Sequence, residues 1–316
     1  MPRLQPPSDL TVEVVRVDER RAPPALTRAR DHAPAAAEPA WAPDDVLRVE
    51  HVAKCFGPTV ALRDVSMHLR HGEVLGLIGD NASGKSTLIK TMAGFHRPDA
   101  GRMTLHGAPL ELKSVGHARA LGIDCVYQDL ALVDQLSAWQ NVFLQREMVH
   151  RSLPVLARRR MRVEARAALD ELGVRIASVD VPVGQLSGGQ RQAIALARSL
   201  RSGAKILLLD EPIAAMGARE GATILNVIAR LCEQRLVAII LVAHQYEHVL
   251  QLCHRVNLLE DGAIALDAPA SDVPLEALAR RVTPWPRRGD AEQRARRPAG
   301  GAERLVPETS VPDQDS

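Results

Sequence analysis

The sequence predicts an α/β domain built around a largely parallel sheet over residues 46–281. Three observations carry this. Short β-branched or Leu-rich runs alternate with helical patterns along that stretch. Four of the runs, 74–78, 123–127, 206–209 and 237–242, are apolar almost throughout, as strands buried on both faces are. Each is followed at once by polar residues or glycine, and in open α/β sheets ligands collect beyond the carboxyl ends of the strands.

The flanks read differently. Residues 1–45 mix Pro, Ala and both signs of charge (RRAPPALTRARDHAPAAAEPAWAPDD) without a sustained apolar period, so the segment cannot bury a core and is expected to be a disordered tail. Residues 282–316, with TPWPRRGDAEQRARRPAGG, carry the same expectation. The 40 Lys+Arg nearly balance the 38 Asp+Glu, so no single-sign field points to nucleic acid as a partner. Cys55, Cys125, Cys232 and Cys253 are scattered singly, with neither zinc-site spacing nor the density of a disulfide framework, which fits a reducing cytoplasm. The longest apolar run, 236–243, falls far short of the roughly 18–20 residues a membrane span needs, and the first ten residues lack a signal-peptide core. A role at a membrane would therefore require partner subunits.

Within the domain, EVLGLI leads into Gly79-Asp80-Asn81-Ala82-Ser83-Gly84-Lys85-Ser86-Thr87 and then the helical pattern KSTLIKTMAG. This is the phosphate-binding pattern GxxxxGK[ST] in its proper strand–loop–helix setting. Backbone N–H groups of such a loop surround a β-phosphate, Lys85 can reach the β- and γ-oxygens, and the Ser86 hydroxyl can hold Mg²⁺. About 129–183 lacks strong strand signals and carries the charged helical pattern RRRMRVEARAALDELG, so it reads as a helical insertion. Further on, Asp210 and Glu211 end the strand 206–209, putting two carboxylates at the ligand end of the sheet. They match a Walker B pair, with Asp210 on Mg²⁺ and Glu211 as the general base for water. By itself, a strand ending in two acidic residues is also compatible with a solvated turn.

Leu186-Ser187-Gly188-Gly189-Gln190 opens a helix: Ser187 and Gln190 form an S-x-x-Q capping box, and Ala193, Ile194, Ala197 and Leu200 recur at helical spacing. A glycine-led helix N-terminus is an anion site, although an ordinary capped helix has the same local pattern.

Here the chain resembles the ATP-binding cassette (ABC) ATPases, whose signature is LSGGQ. The resemblance covers 46–281 and implies a P-loop NTPase cassette with a RecA-like core sheet, an antiparallel β subdomain and a helical insertion. It also implies further site residues. Gln128 matches the Q-loop glutamine, sensing Mg²⁺ and the membrane subunits; His244 matches the switch histidine at the γ-phosphate; Phe56 in KCFG matches the aromatic on which adenine stacks. Gly79, Asp80, Asn81, Ala82, Ser83, Gly84, Lys85, Ser86 and Thr87 would cradle ATP, and Ser187, Gly188, Gly189 and Gln190 would face the nucleotide of a second cassette. Ser86, Gln128 and Asp210 would serve Mg²⁺. GDN in the phosphate loop, YQDLALVDQLSAWQNVFLQRE after Gln128 and VPVGQLSGGQRQA look like the simple-sugar importers of the fructose, ribose and xylose sort. The implied partners are permease subunits, a second cassette in a homodimer and, indirectly, an extracytoplasmic sugar-binding protein, at the cytoplasmic face of the membrane.

The chain departs from the family at three places. Ala82 replaces a usual glycine, and a non-glycine residue in a left-handed conformation costs about 1–2 kcal/mol. Ile213 replaces the Thr that follows Walker B, and Gly217 stands where many relatives have Asp. An ABC protein outside transport would resemble a double cassette or one split by a coiled coil, and this chain has neither pattern. An exporter or an importer for another solute shares the catalytic parts. A regulator that has lost hydrolysis is opposed by Lys85, Asp210, Glu211 and His244 together.

Overall fold

The four apolar runs form four adjacent strands at one end of a single sheet. The computed structural model describes residues 44–150, 153–214, 216–235, 237–243, 245–276 and 278. In chain order its strands are β1 (Asp45–Phe56), β2 (Thr59–Arg70), β3 (Val74–Ile78), β4 (Ala100–Leu105), β5 (Ala108–Pro109), β6 (Ile123–Val126), β7 (Val149–His150), β8 (Leu153–Leu156), β9 (Ile206–Asp210), β10 (Ala238–Val242), β11 (Arg255–Glu260) and β12 (Ala263–Pro269). The main sheet has ten strands in the order β5-β4-β1-β2-β12-β11-β3-β10-β9-β6. From β11 to β6 neighbouring strands pair in parallel. From β5 to β2, and between β11 and β12, the pairing is antiparallel. The sheet is thus mixed rather than largely parallel, and one half is the antiparallel subdomain that the family resemblance implies.

Side-chain alternation buries both faces of the parallel half. Val74 and Ile78 of β3 join Leu207, Leu209, Ile239 and Leu241 in one hydrophobic cluster, while Leu75 and Leu77 join Ile206, Leu208 and Ile240 in the other. Strands covered on both sides read as unbroken apolar runs, which is why these four stood out. β2 and β12 alternate between more and less buried positions, and left a fainter trace.

The helices are α1 (Lys85–Met92), α2 (Val115–Ala120), α3 (Ala138–Val142), α4 (Arg158–Glu171), α5 (Gly188–Arg201), α6 (Ala218–Gln234) and α7 (Tyr246–Leu252). In α4, Met161, Ala165 and Leu169 recur every four residues and are buried, so its charge is confined to the outer face. The insertion 129–183 is not purely helical, because β7 and β8 pair as an antiparallel hairpin within it. At two and four residues these strands are too short to give a clear period. The domain also starts slightly earlier than expected, with β1 opening at Asp45. Residues 1–43 and 282–316, expected to be disordered, lie outside the described residues. All four cysteines are free. Burial pushes the Cys125 and Cys253 thiols up, so both stay neutral and pack as small apolar groups.

Candidate nucleotide site

The site grows from the carboxyl end of β3. Residues 79–84 turn tightly between β11 and β2: a Cβ on Gly79 would lie 2.3 Å from the Leu259 carbonyl oxygen, and one on Gly84 would lie 2.5 Å from that of Ala61. Both glycines also have positive φ, 154° and 107°, so any other residue would meet backbone and strain together. Ala82 does hold a left-handed φ of 69°, as its place in the loop predicts. Gly84 caps α1 without a side-chain hydrogen bond, so the first N–H groups of the helix have no side-chain cap and point at the loop's concavity. The Ser83 hydroxyl is buried there with no hydrogen-bond partner among the described residues.

The Lys85 ammonium closes the loop on itself, donating to the carbonyls of Gly79 and Asp80 at 2.8 Å each. Burial holds its pKa below the ordinary lysine value, while Glu211, Asp80 and Asp210 oppose that shift by their charge. The cation therefore feels the charge of three carboxylates. Two of them come from β9: Asp210 ends the strand opposite Val242 of β10, and Glu211 follows, its N–H donating to the Val242 carbonyl at 3.0 Å. Glu211 has a φ of 52°, a left-handed conformation uncommon for a non-glycine residue and recurrent at functional sites. Ser86 is exposed and Thr87 half-buried on the first turn of α1.

Gln128 lies two residues past β6, which pairs in parallel with β9 through Val126 and Leu209, so it leaves the sheet at the same end as Asp210. It is exposed, as is Asn81. Phe56 ends β1, is 44% exposed, and packs edge-on against His96 with ring centroids 5.0 Å apart, leaving ring surface open. His244, two residues past the end of β10, lies outside the described residues.

The signature turn is separate from this cluster. The Ser187 N–H donates to Gln190 Oε1 at 3.1 Å and the Gln190 N–H to Ser187 Oγ at 3.4 Å, the expected capping box at the start of α5. The atoms nearest to Gly188 and Gly189 belong to Glu220 and Met216, whereas those nearest to Gly79 and Gly84 belong to β11, β2 and the loop itself. Of these neighbours Glu220, in the first turn of α6, had no signal of its own in the sequence. Of the departures, Ile213 packs against the core, and Gly217 is the N-cap of α6 without a side-chain bond to give.

Comparison with known proteins decides the family. Residues 62–214 match the model of the ABC transporter family. The chain is 37% identical over 239 residues to the xylose/arabinose import ATP-binding protein of Sulfolobus acidocaldarius, a match covering 76% of this chain and 94% of that protein. This chain belongs to the ABC transporter ATP-binding family. A fructose import ATP-binding protein of Rhizobium meliloti is 36% identical, with 75% of this chain and 99% of that one covered. A ribose import ATP-binding protein of Streptomyces avermitilis is 38% identical, but the match spans about half of its length, 47%. Among solved structures, cbiO1 of Clostridium perfringens, described as part of an ABC transporter complex, superposes with a TM-score of 0.64 at 28% identity, covering 79% of this chain and 99% of that one. An ATP-binding cassette of an ABC transporter in its ADP conformation gives the same TM-score at 22% identity, over 76% of this chain, and so agrees in fold. As an ABC cassette the chain is an ATP-binding ATPase subunit. Among the described residues no helix is long and apolar enough to cross a membrane.

Proposed function

We propose that the chain hydrolyses ATP at the carboxyl end of its sheet and, docked on permease subunits at the cytoplasmic face of a membrane, drives uptake of a simple sugar such as a pentose or fructose. The observation that carries the ATPase reading is the glycine-walled loop closed by Lys85 on the Gly79 and Asp80 carbonyls, with the charges of Asp80, Asp210 and Glu211 acting on that ammonium. A triphosphate entering the loop meets the N–H groups of α1, the Ser83 hydroxyl and the Lys85 ammonium, which exchanges its two carbonyl partners for phosphate oxygens. Glu211, held beyond the strand end, orients the attacking water and takes its proton, while Asp210 serves the cation side.

Among the described residues no cluster of three or more His, Cys, Asp or Glu side chains could hold a metal ion unaided. The chemistry of Asp210, the Ser86 hydroxyl and Gln128 suits Mg²⁺, which takes one or two carboxylates, several waters and the substrate's own phosphates. Mg²⁺ bound there would neutralise charge on the phosphoryl oxygens. Phe56 would carry the adenine, and His244 is assigned to the γ-phosphate. Support for the sugar class comes from the relatives, three of which are named for import of xylose/arabinose, ribose or fructose. An extracytoplasmic binding protein and a second cassette complete the proposed importer.

The experiment is phosphate release by the full chain with ATP and Mg²⁺, paired with uptake of labelled pentose and fructose in cells lacking it. Lys85→Ala is expected to lose tight ATP binding, and Glu211→Gln to bind but not turn over. Equal rates for wild type and Glu211→Gln would remove the role given to Glu211, and unchanged uptake in the deleted cells would remove the sugar reading.

A further inference from the structure

The segment that carries Gln128 is gripped from the signature helix. Arg198, in the third turn of α5, reaches across to residues just past Gln128 and donates from its two terminal nitrogens, Nη2 to the Leu130 carbonyl and Nη1 to the Ala131 carbonyl, at 2.8 Å each. Ala131 is held there with a left-handed φ of 47°. Seven residues earlier on the same face of α5, Arg191 lies 3.5 Å from Asp134. Beyond the clamp, buried Asn141 of α3 accepts from the Val133 N–H and donates to the carbonyls of Val133, Leu136 and Ser137, so the far end of the segment is pinned as well. Residues 130–136 are thus fixed to α5 at one end and to α3 at the other, while Gln128 itself is exposed. A planar guanidinium meeting two successive carbonyls fixes direction as well as distance, which a lysine ammonium cannot do.

We propose that Arg198 is a positioning residue that sets Gln128 from the signature helix, so that a movement of the helix is felt at the glutamine. The proposal rests on the role given to Gln128 above. Half-buried among protein atoms, the guanidinium pays for its desolvation with the two carbonyls, and burial holds its pKa below the ordinary arginine value against the nearby Asp124 carboxylate. Its charge is still assured, since arginine remains protonated in proteins. A clamp of this kind couples two sites only because the helix and the loop move as one unit, and its strength appears as a rate change rather than a loss of nucleotide.

The test is a double-mutant cycle in ATP hydrolysis by the full chain, with Gln128→Ala, Arg198→Lys and both together, each with its melting temperature. Arg198→Lys is expected to lower kcat roughly two- to thirtyfold with KM for ATP unchanged. The double variant should be no slower than Gln128→Ala alone, because a loosened clamp has nothing left to position. Losses that multiply, or a wild-type kcat for Arg198→Lys, would overturn the proposal while leaving the role of Gln128 standing. A wild-type kcat for Gln128→Ala would overturn both. Should Arg198→Lys fail to fold, hydrogen exchange of the wild-type chain decides: on adding ATP, amides at 130–133 and along α5 should change together, and a change confined to one of them would overturn the coupling.

Discussion

Two residues in the site are held where their side chains disfavour the backbone. Ala82 at φ 69° lies in the phosphate loop, and Glu211 at φ 52° follows β9. The left-handed conformation costs an alanine about 1–2 kcal/mol, against the roughly 0.5–1 kcal/mol that glycine adds to the entropy lost on folding. The expected outcome for Ala82→Gly is therefore a chain as stable as wild type or more so, by up to about 1 kcal/mol, with ATP affinity unchanged or improved. Thermal melting and nucleotide titration of the pair check this, and a clear loss of affinity would mean that the loop has adapted to the alanine methyl. At Glu211 the strain is offset by the hydrogen bond to Val242 and falls on the residue that follows the end of β9.

At the scale of elements, the signature turn combines a structural and a functional role in one hydroxyl. Ser187 Oγ caps α5 by accepting from Gln190, and a serine cap replaced by alanine typically costs about 1 kcal/mol, or about 2–4 °C in a domain of this size. Ser187→Ala should show that modest shift by calorimetry and, in addition, a fall in ATPase rate larger than the shift explains. A melting change with full activity would leave Ser187 as a cap alone. The capping box, α1, α4 and the four apolar strands β3, β6, β9 and β10 could be read from the sequence because each is specified locally, by a cap, a helical period or a doubly buried run. The short hairpin β7–β8 could not, nor could Glu220 under Gly188 or the hold of Arg198 on Leu130 and Ala131, since these depend on which elements the fold brings together. The site residues divide in the same way. Gly79 to Thr87 were legible as one contiguous motif, whereas the approach of Asp210 and Glu211 to Lys85 required the parallel register of β3, β10 and β9.

For the molecule as a whole, each chain holds one phosphate loop and one signature turn, and the two have different neighbours within it. Gly79 and Gly84 are packed by β11, β2 and the loop itself, and Gly188 and Gly189 by Glu220 and Met216, so the two motifs share none of these nearest neighbours. A two-fold pair of chains would bring each signature turn to the other's loop, giving two equivalent sites with ATP buried between them. That arrangement predicts complementation. Lys85→Ala disables the loop of its own chain, and Ser187→Arg disables the turn presented to the partner, so each homodimer has two defective sites and should be inactive. In a mixed dimer both defects fall in one site, where the Lys85→Ala loop meets the Ser187→Arg turn, and the other site is intact. Mixing the two variants with the permease should therefore restore part of the ATPase rate, at most about half the wild-type rate in each mixed dimer if the sites fire independently. No recovery in dimers shown to be mixed would exclude independent shared sites. ATP-dependent dimerisation of Glu211→Gln, followed by its change in mass, then separates the remaining outcomes: a dimer means that both sites must act together, and a persistent monomer means that the site is not shared.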